Sequence, residues 1–323
     1  MPGIGLITNP RSLVNQRDPG RARRLSYLVG SHGNAEATQS IDDLYRVCEE
    51  FKKERIDVLG ISGGDGTMHH TLTAMIRTYG SDEPLPPIAI LRGGTMNTIA
   101  RSFGIFGETP QLTFELVDRH RRGLLDTFPW FEREILQIGD AYGFIFGNGI
   151  IYNFLHEYYA TGAPSPSTAA QLILKAAGST MIRGSLAKRI YKRFHARVVA
   201  DGDRWACEDF ITVAAAVVEQ IGLGFKPFYR VHERPAAFAL LGIHTDAVGF
   251  VAELPSILAG KPMRRDKVID QAARHVVFEA DEPLEYIIDG DTYVQEPSGS
   301  GGGGGPLTLQ VGPKLRFLRC NVV

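Results

Sequence analysis

A parallel α/β domain followed by a domain built mainly of antiparallel sheet is the fold class this sequence predicts, and three observations lead to it. Short β-rich runs alternate with amphipathic segments through residue 126. Two glycine-rich loops, Gly63-Gly64-Asp65-Gly66-Thr67 and Gly93-Gly94-Thr95-Met96-Asn97, each follow an apolar run and open a segment of helical spacing. Beyond Asp126 the runs become short, β-rich and punctuated by turn residues, which is the rhythm of antiparallel sheet.

Gly3 to Asn9 reads as a strand, Arg21 to Ser31 as a helix and Glu36 to Gln39 as a short strand. Ile41 to Glu54 reads as a helix with Leu44, Val47, Cys48 and Phe51 on one face. The runs Ile56 to Ile61 and Ile88 to Leu91 are buried strands, each delivering one glycine loop. Strands that alternate with helices form a parallel sheet covered on both faces, with ligands outside its carboxyl edge. Asn9-Pro10 and both loops lie at such ends, so three loops can converge on one crevice. Glycine lets backbone approach an anion, and a following helix N-terminus adds partial positive charge, so the pair of loops points to a polyphosphate.

In the second region, 134–138, 142–148, 196–200, 210–218, 238–244, 276–280 and 286–289 read as short strands, and 315–323 as a last strand. The division therefore falls near residue 127, between a first domain, 1–126, and a second, 127–314. Ser298 to Gly305 is a glycine/serine segment that cannot pack a core and receives no function. Residues 158–200 hold no acidic residue but seven basic ones: Lys175, Arg183, Lys188, Arg189, Lys192, Arg193 and Arg197. Ile182, Leu186, Ile190 and Phe194 recur every four residues, so a basic amphipathic helix would contact an anionic membrane through 175–197 or pack its stripe on the core.

A length of 323 residues with 44% hydrophobic content allows two cores. A net charge of −1 gives no sign of nucleic-acid binding. Three separated cysteines, Cys48, Cys207 and Cys320, suit a reducing compartment, and neither a membrane span nor a signal peptide is visible, so the expected location is cytoplasmic or peripheral to a membrane. Oligomeric state is open, since an exposed edge strand would pair two copies but none is identifiable.

Gly60-Ile61-Ser62-Gly63-Gly64 also satisfies the G-x-S-x-G pattern of a nucleophile elbow, a reading that leaves Asp65-Gly66-Thr67 and the second loop unexplained. His69 and His70 are adjacent, so a helix aims them differently. The oxygen-donor candidates for Mg²⁺ arriving with nucleotide are Asp65, Asp126, Asp289 and Asp291. Asp289-Gly290-Asp291, at the end of an apolar run, reads locally as a hairpin turn.

Asn9-Pro10, Gly63 to Thr67, Gly94-Thr95-Met96-Asn97 with Ile99-Ala100-Arg101, Asp126, Gly222-Leu223-Gly224 with Pro227, and Asp289-Gly290-Asp291 together resemble the diacylglycerol kinase catalytic-domain family, which includes sphingosine kinases and soluble bacterial lipid kinases. The resemblance implies a nucleotide domain like those of NAD kinase and phosphofructokinase, a β-sandwich lipid-substrate domain, a last strand, 315–323, that returns to the first domain, and transfer of the γ-phosphate of ATP to a lipid hydroxyl of diacylglycerol or a long-chain base. It implies that Asn9, Gly63, Gly64, Gly66, Thr67, Gly94, Thr95 and Asn97 bind the nucleotide. Asp65 would act through Mg²⁺, Asp289 as general base, and Asp291 and Asp126 as further metal ligands. Thr98, His69-His70 and Asp291 stand where relatives often carry Asp, Asn-Glu and Glu. An NAD kinase-like phosphotransferase and a non-catalytic nucleotide- or lipid-binding regulator are the alternatives.

Overall fold

The computed structural model describes residues 3–80, 83–162, 165–263, 266, 268–297 and 304–321. Two compact units result, Met1–Glu134 with Pro313–Val323, and Ile135–Gly312. Their divisions fall inside the strands Trp130–Ile138 and Leu307–Leu318. Most of the glycine/serine segment lies outside the described residues, as do the last two residues of the final run.

The first unit contains β1 (Ile4–Thr8), α1 (Leu13–Gln16), α2 (Arg21–Val29), β2 (Gly33–Ala37), α3 (Ile41–Glu54) and β3 (Val58–Ser62). It continues with α4 (Asp65–Tyr79), β4 (Ile88–Ile90), α5 (Thr98–Ser102), α6 (Thr109–Arg121) and the start of β5 (Trp130–Ile138). Its strands run parallel in the order β2-β1-β3-β4. Every residue of β1 and β3 is buried, as a sheet covered on both faces requires.

Local chemistry sets the ends of α3. The Ser40 hydroxyl accepts from the Asp43 N–H, Asp42 and Asp43 occupy the first turn, Lys52 and Lys53 the last, and Arg55 closes the helix in the left-handed region. Leu44, Val47, Cys48 and Phe51 are its buried face, as the spacing predicts. A Cβ on Gly5 would lie 2.8 Å from the Phe51 ring, so β1 carries a glycine where α3 presses closest. Burial lifts the thiols of Cys48 and Cys320 to about 12, which makes both unreactive.

The second unit takes up the rest of β5 and adds β6 (Ala141–Gly143), β7 (Ile145–Asn148), α7 (Ile150–Ala160), α8 (Pro166–Met181), α9 (Ser185–Ile190), β8 (Phe194–His195), β9 (Arg197–Ala200) and β10 (Asp203–Arg204). Then come β11 (Asp209–Phe210), β12 (Thr212–Ala216), β13 (Phe238–Ile243), α10 (Ala247–Leu258), β14 (Val268–Ala273), β15 (His275–Glu279), β16 (Leu284–Ile288), β17 (Asp291–Gln295) and β18 (Leu307–Leu318). One antiparallel sheet has the order β14-β13-β12-β7-β16-β17, and β10-β9-β15-β18 form a second. Phe146 of β7 meets Phe278 of β15 with ring centroids 5.4 Å apart, joining the two sheets through an aromatic core. Phe317 and Leu318 at the end of β18 run parallel to β4 in the first unit's sheet.

The helices of the second unit correct the sequence reading in two ways. The apolar helices α7 and α10 went unrecognised, and the four-residue stripe does not lie on one helix. Gly184 caps the start of α9, Arg183 adopts a left-handed conformation, and α9 ends at Ile190, leaving Phe194 in a strand. No helix among the described residues is long and apolar enough to cross a membrane.

Phe51 is fully buried between α3 and β1. Phe51→Ala should therefore lower unfolding free energy by about 3–5 kcal/mol, read as a lower denaturation midpoint with an unchanged denaturant slope.

Candidate functional site

The first unit gathers its three loops at the carboxyl ends of β1, β3 and β4. Asn9, just past β1, is fixed on every side. Its N–H donates to the Ser62 carbonyl (3.1 Å). Its Oδ1 accepts from the Arg11 N–H (2.8 Å) and its carbonyl from Asn15 Nδ2 (2.7 Å). Its Nδ2 donates to Thr67 Oγ1 at 2.9 Å, which leaves the Thr67 hydroxyl hydrogen for another acceptor. The Ser12 hydroxyl donates to the Gly93 carbonyl (3.1 Å), tying the β1 loop to the second glycine loop.

The two glycine loops interlock. A Cβ on Gly94 would stand 2.4 Å from the Gly64 Cα, one on Gly93 2.9 Å from the Gly63 nitrogen, and one on Gly63 2.4 Å from the Thr67 side chain. Gly93 and Gly94 are therefore required by loop-on-loop packing and Gly63 by the Thr67 side chain of the helix that follows it, before any ligand is considered. Arg92, Gly93 and Asn97 all have positive φ, so the second loop is conformationally costly and depends on its contacts. Asn97 closes it, accepting from the Gly94 N–H at 3.0 Å and donating to the Gly94 carbonyl at 2.6 Å.

Asp65 opens α4, and its carboxylate spans to the second loop. Oδ2 accepts from the Thr98 N–H (2.9 Å) and Oδ1 from the Ile99 N–H (3.2 Å), so it caps α5. Burial is the largest influence on this carboxyl and pushes it above the usual carboxylate range, against the pull of the Thr98 and Ile99 donors and Arg101. A cation would offset that burial cost, and the oxygen donor suits Mg²⁺. Gly66 follows within the first turn of α4, whose backbone N–H groups supply anion-binding donors. Thr95 is partly exposed in the second loop.

Ser62, the serine of the G-x-S-x-G pattern, is fully buried, and its hydroxyl has no partner among the described residues. An elbow nucleophile is exposed and hydrogen-bonded to a histidine, so the hydrolase reading fails here. Asp126 is exposed in the short turn Leu125–Thr127 of the first unit.

Asp289 and Asp291 belong to the second unit, where they flank the β16–β17 hairpin. Ile288 pairs with Asp291, and Asp289 and Gly290 form a two-residue turn with φ of 48° and 99°. This is the Asp-Gly turn that positive φ at both positions selects. The Asp289 side chain is buried beside β7, with Oδ1 accepting from the Ile145 N–H at 2.8 Å and Oδ2 from the Phe144 N–H at 3.0 Å. A Cβ on Gly143 would lie 2.8 Å from Oδ2, so glycine makes room for the carboxylate.

Ser12 and Asn15 were not singled out from the sequence, although both hold the Asn9 loop. The proximity of Ser12 to Asn9-Pro10 was the available signal, because hydroxyls after such a turn often bond to nearby backbone.

Residues 4–128 match the family model of the diacylglycerol kinase catalytic domain. A protein of Streptococcus pneumoniae TIGR4 described as a "Putative lipid kinase" is 24% identical over 79% of this chain and 78% of its own. A crystal structure of "a putative diacylglycerol kinase" from Bacillus anthracis Sterne shares the fold with a TM-score of 0.68 at 13% identity, covering 98% of this chain and 96% of the other. A second structure from that organism, titled as a diacylglycerol kinase, gives 0.61 at 14% identity, with the same coverage of both chains. The family resemblance carried by the loop motifs thus reappears in the sequence comparisons, and the solved structures share the fold.

Gly94→Ala should separate the two loops, lowering stability by about 1–3 kcal/mol and weakening nucleotide binding in calorimetry. Gly178→Ala, where a Cβ meets nothing within 4 Å, should leave binding intact.

Proposed function

We propose that this chain is a kinase that transfers the γ-phosphate of ATP, with Mg²⁺, to a lipid hydroxyl, the acceptor being diacylglycerol or a long-chain base. The observation that carries the reading is the bonded cluster of Asn9, Thr67 and the two glycine loops at the carboxyl edge of a parallel sheet. The match of residues 4–128 and the lipid-kinase descriptions of the relatives support the acceptor class.

Phosphoryl transfer asks a protein for positioning and for neutralisation of charge on the transferred group. In this reading Gly63, Gly64, Gly66 and Gly94 bring backbone to the phosphates, Thr95 supplies a further hydroxyl, and Asn97 fixes the second loop. The Thr67 hydroxyl donates to a phosphate oxygen because Asn9 already occupies one of its lone pairs. Mg²⁺ would neutralise phosphate charge, with Asp65 holding it directly or through its waters. Asp289 is assigned the proton of the attacking hydroxyl; its two backbone donors fix the carboxylate in place.

Labelled γ-phosphate should pass from ATP into a lipid when the chain is offered diacylglycerol, sphingosine, ceramide and NAD. Asp289→Asn suits the left-handed position, since asparagine tolerates that conformation. It should cut turnover by roughly 10²- to 10⁴-fold while ATP still binds. Thr67→Val should weaken kcat/KM about 10- to 100-fold, the value of one hydrogen bond to a charged group. Label on NAD instead of lipid would move the activity to a soluble acceptor, and ATP binding without transfer to any acceptor would make the chain a regulator.

A further inference from the structure

We infer that the outer face of α8, with the turn after it, docks on an anionic lipid surface, placing Leu174, Met181 and Ile182 against the acyl region and Lys175 and Arg183 at the headgroups. The inference deepens the lipid-kinase reading and draws its purpose from it.

Helix α8 buries Ala169, Leu172, Ala176 and Thr180 on one side. Leu174 and Met181, seven residues apart, share the opposite side at 73% and 87% exposure, and Ile182 follows at 79%. A solvated face would carry polar groups here, yet Lys175 is the sole charged residue of α8. Three large apolar side chains clustered in the open mark a contact surface.

Charge selects the occupant. Of the seven basic residues in this region, three are already engaged within the second unit. Arg189 pairs with Glu157, Arg197 pairs with Glu279 and Asp281, and Arg193 donates to the backbone carbonyls of Asp209, His244 and Thr245. Lys175, Arg183, Lys188 and Lys192 are exposed and form no ion pair with another described residue. Arg183 sits in a left-handed turn directly beside Met181 and Ile182. An apolar patch edged by cations, in a stretch with no acid from 158 to 200, suits phosphate-bearing headgroups above acyl chains. A symmetric pair of chains would instead set this cationic patch against itself.

Vesicle co-sedimentation of the full chain, without ATP, tests this. Phosphatidylcholine vesicles rich in phosphatidylglycerol should bind the chain at low salt, and pure phosphatidylcholine should bind it at least about tenfold more weakly. Leu174→Ser/Met181→Ser/Ile182→Ser changes only exposed side chains and should lower binding about tenfold. Lys175→Glu/Arg183→Glu should abolish the preference for phosphatidylglycerol, and Arg23→Glu on α2 should match the unaltered chain. Equal binding by all variants, equal binding to both vesicle types, or no binding at low salt would overturn the inference. So would a dimer, seen by sedimentation velocity, that the triple serine variant dissolves. Since no turnover is read, vesicle binding without phosphate transfer would keep the docking surface and remove the kinase reading, and transfer without vesicle binding would do the reverse.

Discussion

The contact on which the first unit's loops depend is backbone against backbone: Gly63 and Gly64 on Gly93 and Gly94, with no room for a side chain between them. Everything nearby follows from keeping that contact closed. Asp65 reaches from the first loop to cap the helix that follows the second, Ser12 ties the β1 loop to Gly93, and Asn9 joins β1 to the α4 helix through Thr67. The second loop holds two non-glycine residues, Arg92 and Asn97, at positive φ. A conformation of that kind costs of order 1–2 kcal/mol per residue and persists because the neighbouring loop over-determines it. Such an arrangement is preorganised, and its donors need not be ordered when a phosphate arrives.

The α/β unit was legible in the sequence because its signals are local. The α3 helix begins at a serine cap, ends in lysines and shows its buried face by spacing alone. The glycine loops were recognised by type, but the reason for several of their glycines was not visible. Chain spacing suggests backbone approaching a ligand, whereas the space at Gly63, Gly93 and Gly94 is filled by Thr67 and the opposite loop. Contacts between residues 30 apart have no local signature. Ser62 shows the converse error, since its G-x-S-x-G pattern is a by-product of a buried strand end meeting a glycine turn.

The second unit was less legible because its helices do not announce themselves. In α10 the residues Ala247–Leu258 are almost uniformly apolar, which periodicity cannot separate from buried strand. The stripe from Ile182 to Phe194 had the right period, but Gly184 interrupts it, and a glycine inside a periodic run is a signal for a break. At Asp289 the local reading of a hairpin is correct and incomplete. The turn explains the Asp-Gly pair, while the burial of its carboxylate against Phe144 and Ile145 comes from a strand more than 140 residues earlier.

Asp65 joins these strands of reasoning. Both of its oxygens accept backbone N–H groups, so the carboxylate has a structural reason to be there that involves no ion. Asparagine could not serve equally, because its amide would set a donor against one of those donors. Yet desolvation holds this carboxyl above the usual carboxylate range, and the Thr98 and Ile99 N–H groups, the Thr98 side chain and the Arg101 charge offset that only in part. The carboxylate has more lone pairs than these three donors fill. The cap therefore fixes where the charge sits without neutralising it, which is the state in which a cation accompanying a polyphosphate gains most.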